Sequence, residues 1–517
     1  MRGFFRFSSS PAALFIFSFV VLFFLLGLHK VLFLRPQSIH QWAQCDRASV
    51  AWNYYVGGYD FFHPRVNNIA NGSGITGLEF PVIQYCVALL YGVFGFHEWI
   101  YRLLTLCTCA CGLFCAWRIS EHSTGSRSLA SLMIIFLACS PLLAYYSISF
   151  IPDLYSMSFL LISWYMLFIS RNKPSNPNLL LHGLCFAMAC LIKPTALIYV
   201  PAFAIYYFRS VSQTGWKRSI LRYAVCSVGV VSLTVSWYAY ASWLSKTEES
   251  GVFLLKTRPV KDLNQLLEIS NLVVRQWLER ITNVSILVVL GLSFLTSSFV
   301  SRKSIPTVSW MAIATLPGIC LYVWQMGRQF PDHDYYALLL LPVLVFILIG
   351  IADFRTQLRV PWIRKALLCG VPAVISMQFY DAKTHIRVSH NKGSWKYGDQ
   401  FYDLYFDAEG FFARAGIPGN EPVISAFDIS PNVSLYLMGR KGVSAADESK
   451  LSQLLDSHRF PGIRYVLIND HSIERNERFN PGQYNLKLLY QELPLRVFVR
   501  NDTTLALAEY KSGSTWN

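Results

Sequence analysis

The sequence predicts a polytopic α-helical membrane protein that ends in a small soluble α/β domain, and three observations support this. Of the 517 residues, 53% are hydrophobic and only 15% are charged, with a mean hydropathy of +0.36. Long apolar runs fill the chain up to about residue 380, and charged and turn residues return after that point. Soluble proteins are about 25% charged, so this composition excludes an ordinary soluble enzyme and a disordered chain.

The first apolar run, 11–34, follows Arg2 and Arg6 and is too long for a signal peptide, whose apolar core has about 7–15 residues. It also lacks a small-residue cleavage site, so it predicts a retained transmembrane helix that starts inside. The later runs are 99–117, 129–147, 154–170, 178–192, 195–208, 223–244, 283–300, 306–324, 335–352 and 366–379. The run 81–96 is too short to cross a bilayer core about 30 Å thick.

The basic residues predict which ends of these helices are cytoplasmic. Six loops that alternate with the runs carry sixteen Lys and Arg residues but only two acids, Glu121 and Asp353. Cytoplasmic loops are rich in Lys and Arg, and all six lie inside only if 81–96 does not cross. The same reasoning makes 178–192 and 195–208 two short passes, broken at Lys193-Pro194. We therefore expect about eleven transmembrane helices and a cytoplasmic N-terminus. The basic loops account for the net charge of +15, so we expect no nucleic-acid partner.

Four segments then face outward: 35–98, 148–153, 245–282 and 325–334. Two amphipathic stretches, 259–269 and 271–282, are suited to lie on the outer leaflet.

The chain divides at about residue 380, into a membrane domain (1–380) and an extracytoplasmic α/β domain (381–517). Val423–Phe427 and Tyr465–Ile468 are typical of buried strands. Leu495–Val499 and Thr504–Ala508 predict two strands around a turn at Asn501-Asp502. Residues 445–456 predict a helix between strands.

The first outward segment combines aromatic rings with polar groups. Rings that stack on a sugar face and polar groups that bond its hydroxyls would form a sugar site, whereas the alternative is an aromatic belt at the membrane interface. The aromatic residues are Trp42, Trp52, Tyr54, Tyr55, Tyr59, Phe61 and Phe62, and the polar ones include His40, Gln44, Asp60, His63, Asn67 and Asn68.

Three acids on this side are candidate catalytic residues. Asp46 and Glu79 lie near predicted membrane boundaries, where an unpaired charge is costly. The alternative for them is a salt bridge, for instance between Asp46 and Arg47 or Arg65. Asp153 begins a helix after Pro152, where the helix dipole alone would favour an acid.

Two basic positions on the same side are candidate anion ligands. Lys193 lies between two apolar helices, where a cation is costly unless it meets an anion such as a lipid phosphate. The alternative is a lysine that reaches back to the interface. Arg328 and His333 lie in the segment before Tyr335 and Tyr336, where His333 has the alternative of an ordinary loop histidine.

The chain has no P-loop, no GxGxxG pattern, no HExxH motif and no zinc-ligand spacing, which argues against a soluble nucleotide as energy source. Its twelve cysteines lie almost entirely in apolar runs and predict small hydrophobic residues rather than a disulfide framework.

These features together resemble the GT-C-type, polyprenyl-phosphate-dependent glycosyltransferases, closest to the protein mannosyltransferase and lipid A aminoarabinose transferase group. The resemblance spans about residues 1–380 through short motifs in the family order. The motifs are Asp46, Tyr59-Asp60-Phe61-Phe62-His63-Pro64, Gly77-Leu78-Glu79-Phe80-Pro81, Phe94-Gly95 with Arg102-Leu103, Leu191-Ile192-Lys193-Pro194, Trp237-Tyr238, and His333-Asp334-Tyr335-Tyr336 with Leu341-Pro342.

The resemblance implies a GT-C-like fold and an inverting transfer of a sugar from a polyprenyl phosphate to an acceptor hydroxyl or amine outside the membrane. The acceptor would be a cell-envelope lipid, glycan or protein. Asp46 would be the general base, and Glu79 and Asp153 would position the acceptor.

Donor-phosphate, substrate and metal ligands are also implied. Lys193, Arg328 and Tyr335 would bind the donor phosphate, and Tyr59, His63, His333 and Tyr336 would contact substrate. A divalent metal ion, if one is used, would be held by Asp46, Glu79 and His333. Aminoarabinose transferases commonly carry Lys directly after the loop glutamate, and this chain has Phe80 there.

Other functional classes remain open from the sequence. A secondary transporter of an envelope precursor would place ionisable residues near mid-membrane and show internal repeats, neither of which is visible here. A third alternative is a scaffold whose tail binds a partner. The expected location is a bacterial inner (plasma) membrane, with membrane lipids as partners.

Overall fold

The computed structural model describes residues 10–170, 176–211, 216–250, 257–300, 306–357, 361–390, 405, 407–456, 460, 462–469 and 480–500. Two compact units divide the chain. One comprises Met1–Leu34, Trp99–Tyr240 and Leu255–Val388, and the other comprises Arg35–Glu98, Ala241–Leu254 and Ser389–Asn517. The second unit therefore joins the first outward segment to the tail, and the division into a membrane domain (1–380) and an extracytoplasmic domain (381–517) stays a prediction.

The first unit is helical. The helices that lie wholly or mainly in it are α1 (Pro11–Leu25), α4 (Glu98–Thr124), α5 (Arg127–Ala138), α6 (Pro141–Tyr146), α7 (Asp153–Ile169), α8 (Asn176–Ile192), α9 (Val200–Val211), α10 (Trp216–Thr247), α11 (Leu263–Val273), α12 (Glu279–Ile281), α13 (Val284–Val300), α14 (Thr307–Met326), α15 (Leu341–Gln357) and α16 (Pro361–Ser389). Short 3₁₀ segments at Leu28–Lys30, Pro194–Tyr199, Gly327–Asp332 and Asp334–Leu340 connect some of them.

Local chemistry explains several helix starts. The Ser10 hydroxyl accepts a hydrogen bond from the Ala13 amide, and Pro11 follows at the first helical position. The Asp262 carboxylate accepts from the Gln265 amide at 2.8 Å and starts α11. The two amphipathic stretches predicted within 259–282 form one helical stretch, because a π-helical segment, Val274–Leu278, joins α11 to α12.

Within the described residues, four helices are long and apolar enough to cross a membrane, and a fifth span results if a pair bent by 85° counts as one. Several shorter apolar helices accompany them. The four are Glu98–Thr124, Ile220–Thr247, Thr307–Asp332 and Asp334–Ala352, and the bent pair is Leu263–Ile281 with Val284–Ser297. The helical architecture is therefore confirmed, whereas a total of about eleven spans stays a prediction.

The second unit contains α2 (Gln41–Val56), α3 (Val82–Phe94) and a C-terminal α/β portion. That portion comprises β1 (Val423–Ala426), β2 (Gly442–Ala445), β3 (Tyr465–Asn469), β4 (Leu486–Glu492), β5 (Leu495–Arg500), α17 (Ala408–Arg414), α18 (Val433–Leu437) and α19 (Glu448–Asp456). The sheet order is β2-β1-β3-β5-β4, with β1 parallel to β2 and β3, and β5 antiparallel to β3 and β4.

The core of this sheet is made by alternating apolar residues and by the inner face of α19. Ile424, Val466 and Phe498 pack with Leu451 and Leu455, all buried. The predicted strands at Val423, Tyr465 and Leu495 and the helix within 445–456 are confirmed. The partner of β5 is the preceding β4, and the predicted strand Thr504–Ala508 and its turn lie outside the described residues.

Gly442 is a position where the fold needs glycine. A Cβ there would lie 1.9 Å from the Val423 carbonyl oxygen, inside the β1–β2 pairing. We expect Gly442→Ala to lower the free energy of unfolding by about 3 kcal/mol, the upper end of ordinary overpacking costs. Thermal unfolding of the purified protein measures this. Gly419→Ala, where a Cβ meets nothing within 4 Å, is the control. Equal midpoints for both variants would contradict the expectation.

Candidate active site

The first group of predicted site residues lies on and beside α2. This helix is buried on nearly every face, including the polar residues Gln44, Asp46, Ser49 and Asn53. The Gln44 side-chain amide donates to the carbonyl oxygens of Gln37 at 3.0 Å and Ile39 at 2.9 Å. These bonds hold the segment before α2 against the start of the helix. Asp46 follows about one and a half turns into α2, so the same bonds help to fix its position.

Asp46, Arg47, Glu79 and Asn432 form what we call the carboxylate cluster. The Arg47 Nε donates to Glu79 Oε1 at 2.9 Å, and its Nη1 lies 3.8 Å from Asp46 Oδ2. Of the salt-bridge partners considered from the sequence, the structure gives Arg47. The closer partner of Arg47 is nevertheless Glu79, so Asp46 has no bidentate clamp from this guanidinium.

The environment of Asp46 raises the pKa of its carboxyl group to about 7. Burial is the largest cause, and the negative charges of Glu79 and Asp428 act in the same direction. The Arg47 cation and a hydrogen bond from Asn432 oppose the shift. A carboxylate whose pKa lies near neutral pH is suited to accept a proton during a reaction.

The segment after residue 63 is fixed to α2 by side-chain amides. The Ser49 hydroxyl donates to Asn67 Oδ1 at 2.7 Å, and Asn53 Nδ2 donates to the same oxygen at 3.0 Å. Asn67 Nδ2 in turn donates to the Arg440 carbonyl oxygen at 3.0 Å. This scaffold holds the first outward segment against the C-terminal sheet within one unit.

Tyr59 and His63, predicted to contact substrate, have other partners within the described residues. His63 Nδ1 lies 2.8 Å from Asp60 Oδ2, and both side chains are about half exposed. Tyr59 adopts a left-handed backbone conformation with φ of 63° and packs edge-on against the Tyr85 ring. No contact joins either residue to Asp46 or Glu79, so their role as substrate ligands stays a prediction.

The second group lies in the helical unit, around Lys193. The sequence predicts a break at Lys193-Pro194, and the structure confirms it: α8 ends at Ile192, Lys193 is extended, and a 3₁₀ segment starts at Pro194. The residue before a proline is disfavoured in the helical conformation, which explains the break. The change of direction turns the Lys193 side chain towards the start of α7.

Lys193, Asp153, Tyr335 and Tyr336 form what we call the lysine cluster. Lys193 Nζ lies 3.1 Å from Asp153 Oδ2, with both side chains largely buried. The same ammonium lies 5.9 Å and 5.8 Å from the ring centres of Tyr335 and Tyr336. Lys193 is thus a largely buried ammonium beside one carboxylate and two aromatic faces. An anionic ligand placed there would neutralise the ammonium together with Asp153.

His333 packs against one member of the lysine cluster. Its Nδ1 donates to the Gln329 carbonyl oxygen at 2.8 Å, and its ring stacks on Tyr336 at 5.0 Å. The Tyr336 hydroxyl donates to Gln329 Oε1 at 3.2 Å. Arg328, predicted as a second phosphate ligand, is exposed, and within the described residues its side chain has no ion pair.

Sequence reasoning did not single out three residues that join this region. The Asp334 carboxylate contacts the Arg280 guanidinium and the Tyr146 hydroxyl, and the Tyr146 ring lies 6.0 Å from that of Tyr335. Asp334 belongs to a motif noted in the sequence, and Arg280 lies within the predicted amphipathic stretch 271–282. Their pairing depends on tertiary structure, because 54 positions separate them in the chain.

A metal ion is not accommodated by the arrangement described. Within the described part of the chain, no three His, Cys, Asp or Glu side chains are grouped to hold one. Arg47 already contacts both carboxylates of the predicted set Asp46, Glu79 and His333. The use of a divalent metal ion therefore stays a prediction from the sequence.

A family model matches part of the sequence. Residues 79–240 match the model of the family described as dolichyl-phosphate-mannose-protein mannosyltransferase. The matched region includes Glu79, Asp153 and Lys193, whereas Asp46 lies before it. No curated protein sequence matches the chain.

Comparison with solved structures identifies the fold. ArnT from Cupriavidus metallidurans in the apo state aligns with a TM-score of 0.62 and 13% identity, covering 96% of this chain and 98% of ArnT. ArnT bound to undecaprenyl phosphate aligns with a TM-score of 0.61 at the same identity and coverage. An Archaeoglobus fulgidus oligosaccharyltransferase aligns at 0.51 and 10% identity, covering 90% of this chain and 70% of the other.

A mycobacterial arabinofuranosyltransferase, AftD, aligns at 0.54 and 12% identity, covering 95% of this chain but 42% of its own. The resemblance predicted from the sequence, to GT-C-type glycosyltransferases of the mannosyl and aminoarabinose transferase group, is therefore confirmed. The apolar helices and these neighbours also support a membrane protein.

Proposed function

We propose that this chain is an inverting glycosyltransferase that moves a sugar from a polyprenyl phosphate to an acceptor hydroxyl or amine on the extracytoplasmic side of the membrane. The single observation that carries the proposal is the buried Asp46, whose pKa of about 7 suits a base at neutral pH. The match of residues 79–240 to a family of dolichyl-phosphate-mannose enzymes supports the donor class.

The chemistry assigned to Asp46 is proton removal from the acceptor. As the acceptor oxygen or nitrogen forms its bond to the anomeric carbon, Asp46 accepts the proton that this atom loses. The anomeric carbon–oxygen bond to phosphate breaks, and its electron pair stays on the phosphate. Attack from the face opposite the leaving group inverts the anomeric centre.

Lys193 is assigned to the donor phosphate, with Tyr335 beside it. Negative charge grows on the phosphate as the sugar leaves, so a buried ammonium is worth more in the transition state than in the ground state. Asp153 holds the lysine in place at 3.1 Å. Glu79 is assigned to acceptor positioning together with Arg47. The exposed Arg328 remains a proposed additional phosphate ligand.

Cell-envelope analysis tests the biological side of this proposal. Mass spectrometry of envelope lipids, glycans and proteins, from cells with and without the gene, should show one sugar substituent that disappears with the gene. Loss of an unsubstituted precursor from the outer leaflet, with all sugar linkages intact, would instead indicate a transporter.

The proposed orientation places the N-terminus in the cytoplasm and the C-terminal portion outside, in an inner (plasma) membrane. Single cysteines in a cysteine-free background should react with an impermeant thiol reagent in intact cells at Ser73, at Thr247 and, because Ser389 is buried, at the exposed Gly419 in the C-terminal portion. Ser123, and Ser301 outside the described residues, should react only after the membrane is permeabilised, because the loops that hold them are basic. Labelling of Ser301→Cys from outside would contradict the orientation.

A further inference from the structure

The C-terminal sheet has a topological switch point at β1. The chain leaves β1 through α18 to β2 on one side, and β3 lies on the other side of β1. In open parallel sheets, functional groups gather at the carboxyl end of the strand where the connections divide. The residues that follow β1 include three buried polar side chains, Asp428, Ser430 and Asn432.

Asp428 fixes the turn after β1. Its carboxylate accepts hydrogen bonds from the backbone amides of Ser430 at 2.8 Å and Ser434 at 2.9 Å. The second bond satisfies an amide in the first turn of α18, a task that an N-cap side chain usually performs. Asn432 is the N-cap residue of α18 but makes no capping bond of its own.

The amide of Asn432 is thus available for other partners, and both of its ends are used within the second unit. Its Oδ1 accepts from the Asn68 backbone amide at 3.2 Å, and its Nδ2 lies 3.4 Å from Asp46 Oδ1. The bond from Asn68 fixes which end of the amide points to Asp46. The side chain of Asn432 is completely buried.

We propose that Asn432 is a positioning residue for Asp46, supplied by the C-terminal sheet across 386 positions of sequence. It donates to Oδ1 of the carboxylate while Arg47 lies beside Oδ2, so the two groups hold the carboxylate in one orientation. The inference rests on the proposed role of Asp46 as base. It gives the C-terminal portion a part in catalysis beyond binding an acceptor.

A glycosylated Asn432 is the competing interpretation, because Asn432-Val433-Ser434 fits the acceptor pattern for N-linked glycans. The burial of the side chain and the two hydrogen bonds of its amide oppose that interpretation. A modified asparagine would also be unable to fit beside Asp46 in this arrangement. An intact-mass measurement of the folded protein should find this residue unmodified.

Kinetics of purified protein in lipid nanodiscs test the inference. The probe is whichever undecaprenyl-phosphate-linked hexose or pentose the parent turns over. We expect Asn432→Ala to lower kcat about tenfold, as for loss of one hydrogen bond to a charged group, with the KM for the donor within about twofold. Asn432→Asp keeps the shape and the acceptor for Asn68 but removes the donor, and it should lower kcat at least as much.

Gln378→Ala is the matched control. Gln378 is also a buried side-chain amide, but its partners are the Thr282 hydroxyl and the carbonyl oxygens of Phe136 and Ile281, and it makes no bond to Asp46. Its substitution should lower the thermal midpoint while kcat per folded molecule stays within about twofold. If kcat falls in proportion to the fall in thermal midpoint in all three variants, Asn432 is only a structural residue. A parent-like kcat in Asn432→Asp would also overturn the inference.

Failure of this inference is distinguishable from failure of the proposed function. If Asp46→Asn is parent-like, the base assignment fails, and the positioning role fails with it. If Asp46→Asn is inactive and Asn432→Ala is parent-like, only the positioning role fails. The residual rate of Asp46→Asn should be unchanged when Asn432→Ala is added, because a residue that acts through Asp46 has nothing further to lose.

Discussion

Asp46→Asn should lower the rate of sugar transfer by about 10²–10⁴-fold, the usual contribution of a general base. The amide keeps the shape of the side chain but does not accept the acceptor's proton. Asn432 still has an oxygen to which it donates, and Arg47 keeps its 2.9 Å bond to Glu79. The thermal midpoint should therefore stay close to that of the parent, which single-turnover kinetics and thermal unfolding on the same preparation will measure.

The pH dependence of the parent gives a second readout of the same group. Burial raises the pKa of Asp46 to about 7, and the base works only when deprotonated. The value of kcat/KM should therefore fall as the pH drops through about 7 and level off above it.

Two results with Asp46→Asn would contradict the role of Asp46 as base. If Asp46→Asn unfolds, Asp46 is a structural partner of Arg47. Near-parent turnover by a folded variant would remove Asp46 from the mechanism.

Lys193→Met should weaken binding of undecaprenyl phosphate and also lower kcat, by about ten- to a hundredfold each, as for loss of a charge-assisted contact in a buried site. Methionine keeps the apolar stem and removes the ammonium, which lies among Asp153, Tyr335 and Tyr336. Part of the loss should appear only in kcat, because charge on the phosphate grows during the reaction. Titration with undecaprenyl phosphate in nanodiscs measures the binding part.

The ion pair with Asp153 requires its own control, since breaking a buried pair destabilises a protein by itself. If Lys193 only neutralises Asp153, then Asp153→Asn should restore the Lys193→Met variant to parent-like binding. If Lys193 binds the phosphate, the double variant should regain stability but remain weak in binding. Arg328→Met should act in the same direction as Lys193→Met, and independent effects of the two would place Arg328 outside the phosphate site.

The lysine cluster shows how far sequence reasoning extends. A lysine before a proline between two apolar runs predicts a helix break, and the structure has a break at Lys193-Pro194. The sequence predicts functional roles for both Asp153 and Lys193, but it assigns them different roles and does not indicate that they are paired. Their 3.1 Å ion pair depends on how α7 and α8 pack, which local patterns do not encode.

The helix that carries Asp46 was not predicted. The stretch 35–80 looks like an aromatic, polar loop because α2 is buried on nearly all faces and so has no apolar stripe with a helical period. A buried helix that carries Gln, Asp, Ser and Asn is stable when tertiary hydrogen bonds satisfy those groups, as Asn67 does for Ser49 and Asn53. Asp46 is a candidate from the sequence because it lies near a predicted membrane boundary, and its role as general base comes from the family resemblance rather than from periodicity.

The strands of the C-terminal portion are likewise only partly predictable from the sequence. Buried strands with apolar runs, β1 and β3, are visible in the sequence, whereas two others are not. β2, Gly442–Ala445, has four residues of which only Val443 is β-branched. β4 is a mostly exposed edge strand with an irregularity between Leu488 and Tyr490. Asn432 gives no local signal beyond a glycosylation pattern, because its partner lies at the other end of the chain.

The most direct test of the central claim is cleavage of a lipid-linked sugar by the purified chain. Parent and Asp46→Asn proteins in nanodiscs are incubated with a panel of undecaprenyl-phosphate-linked hexoses and pentoses and an envelope-lipid extract as acceptor. We expect the parent to release undecaprenyl phosphate and to form one glycosylated product with an inverted anomeric centre, and the variant to form about 10²–10⁴-fold less. Movement of the intact lipid-linked sugar across proteoliposomes, with no cleavage by either protein, would contradict the assignment as a glycosyltransferase.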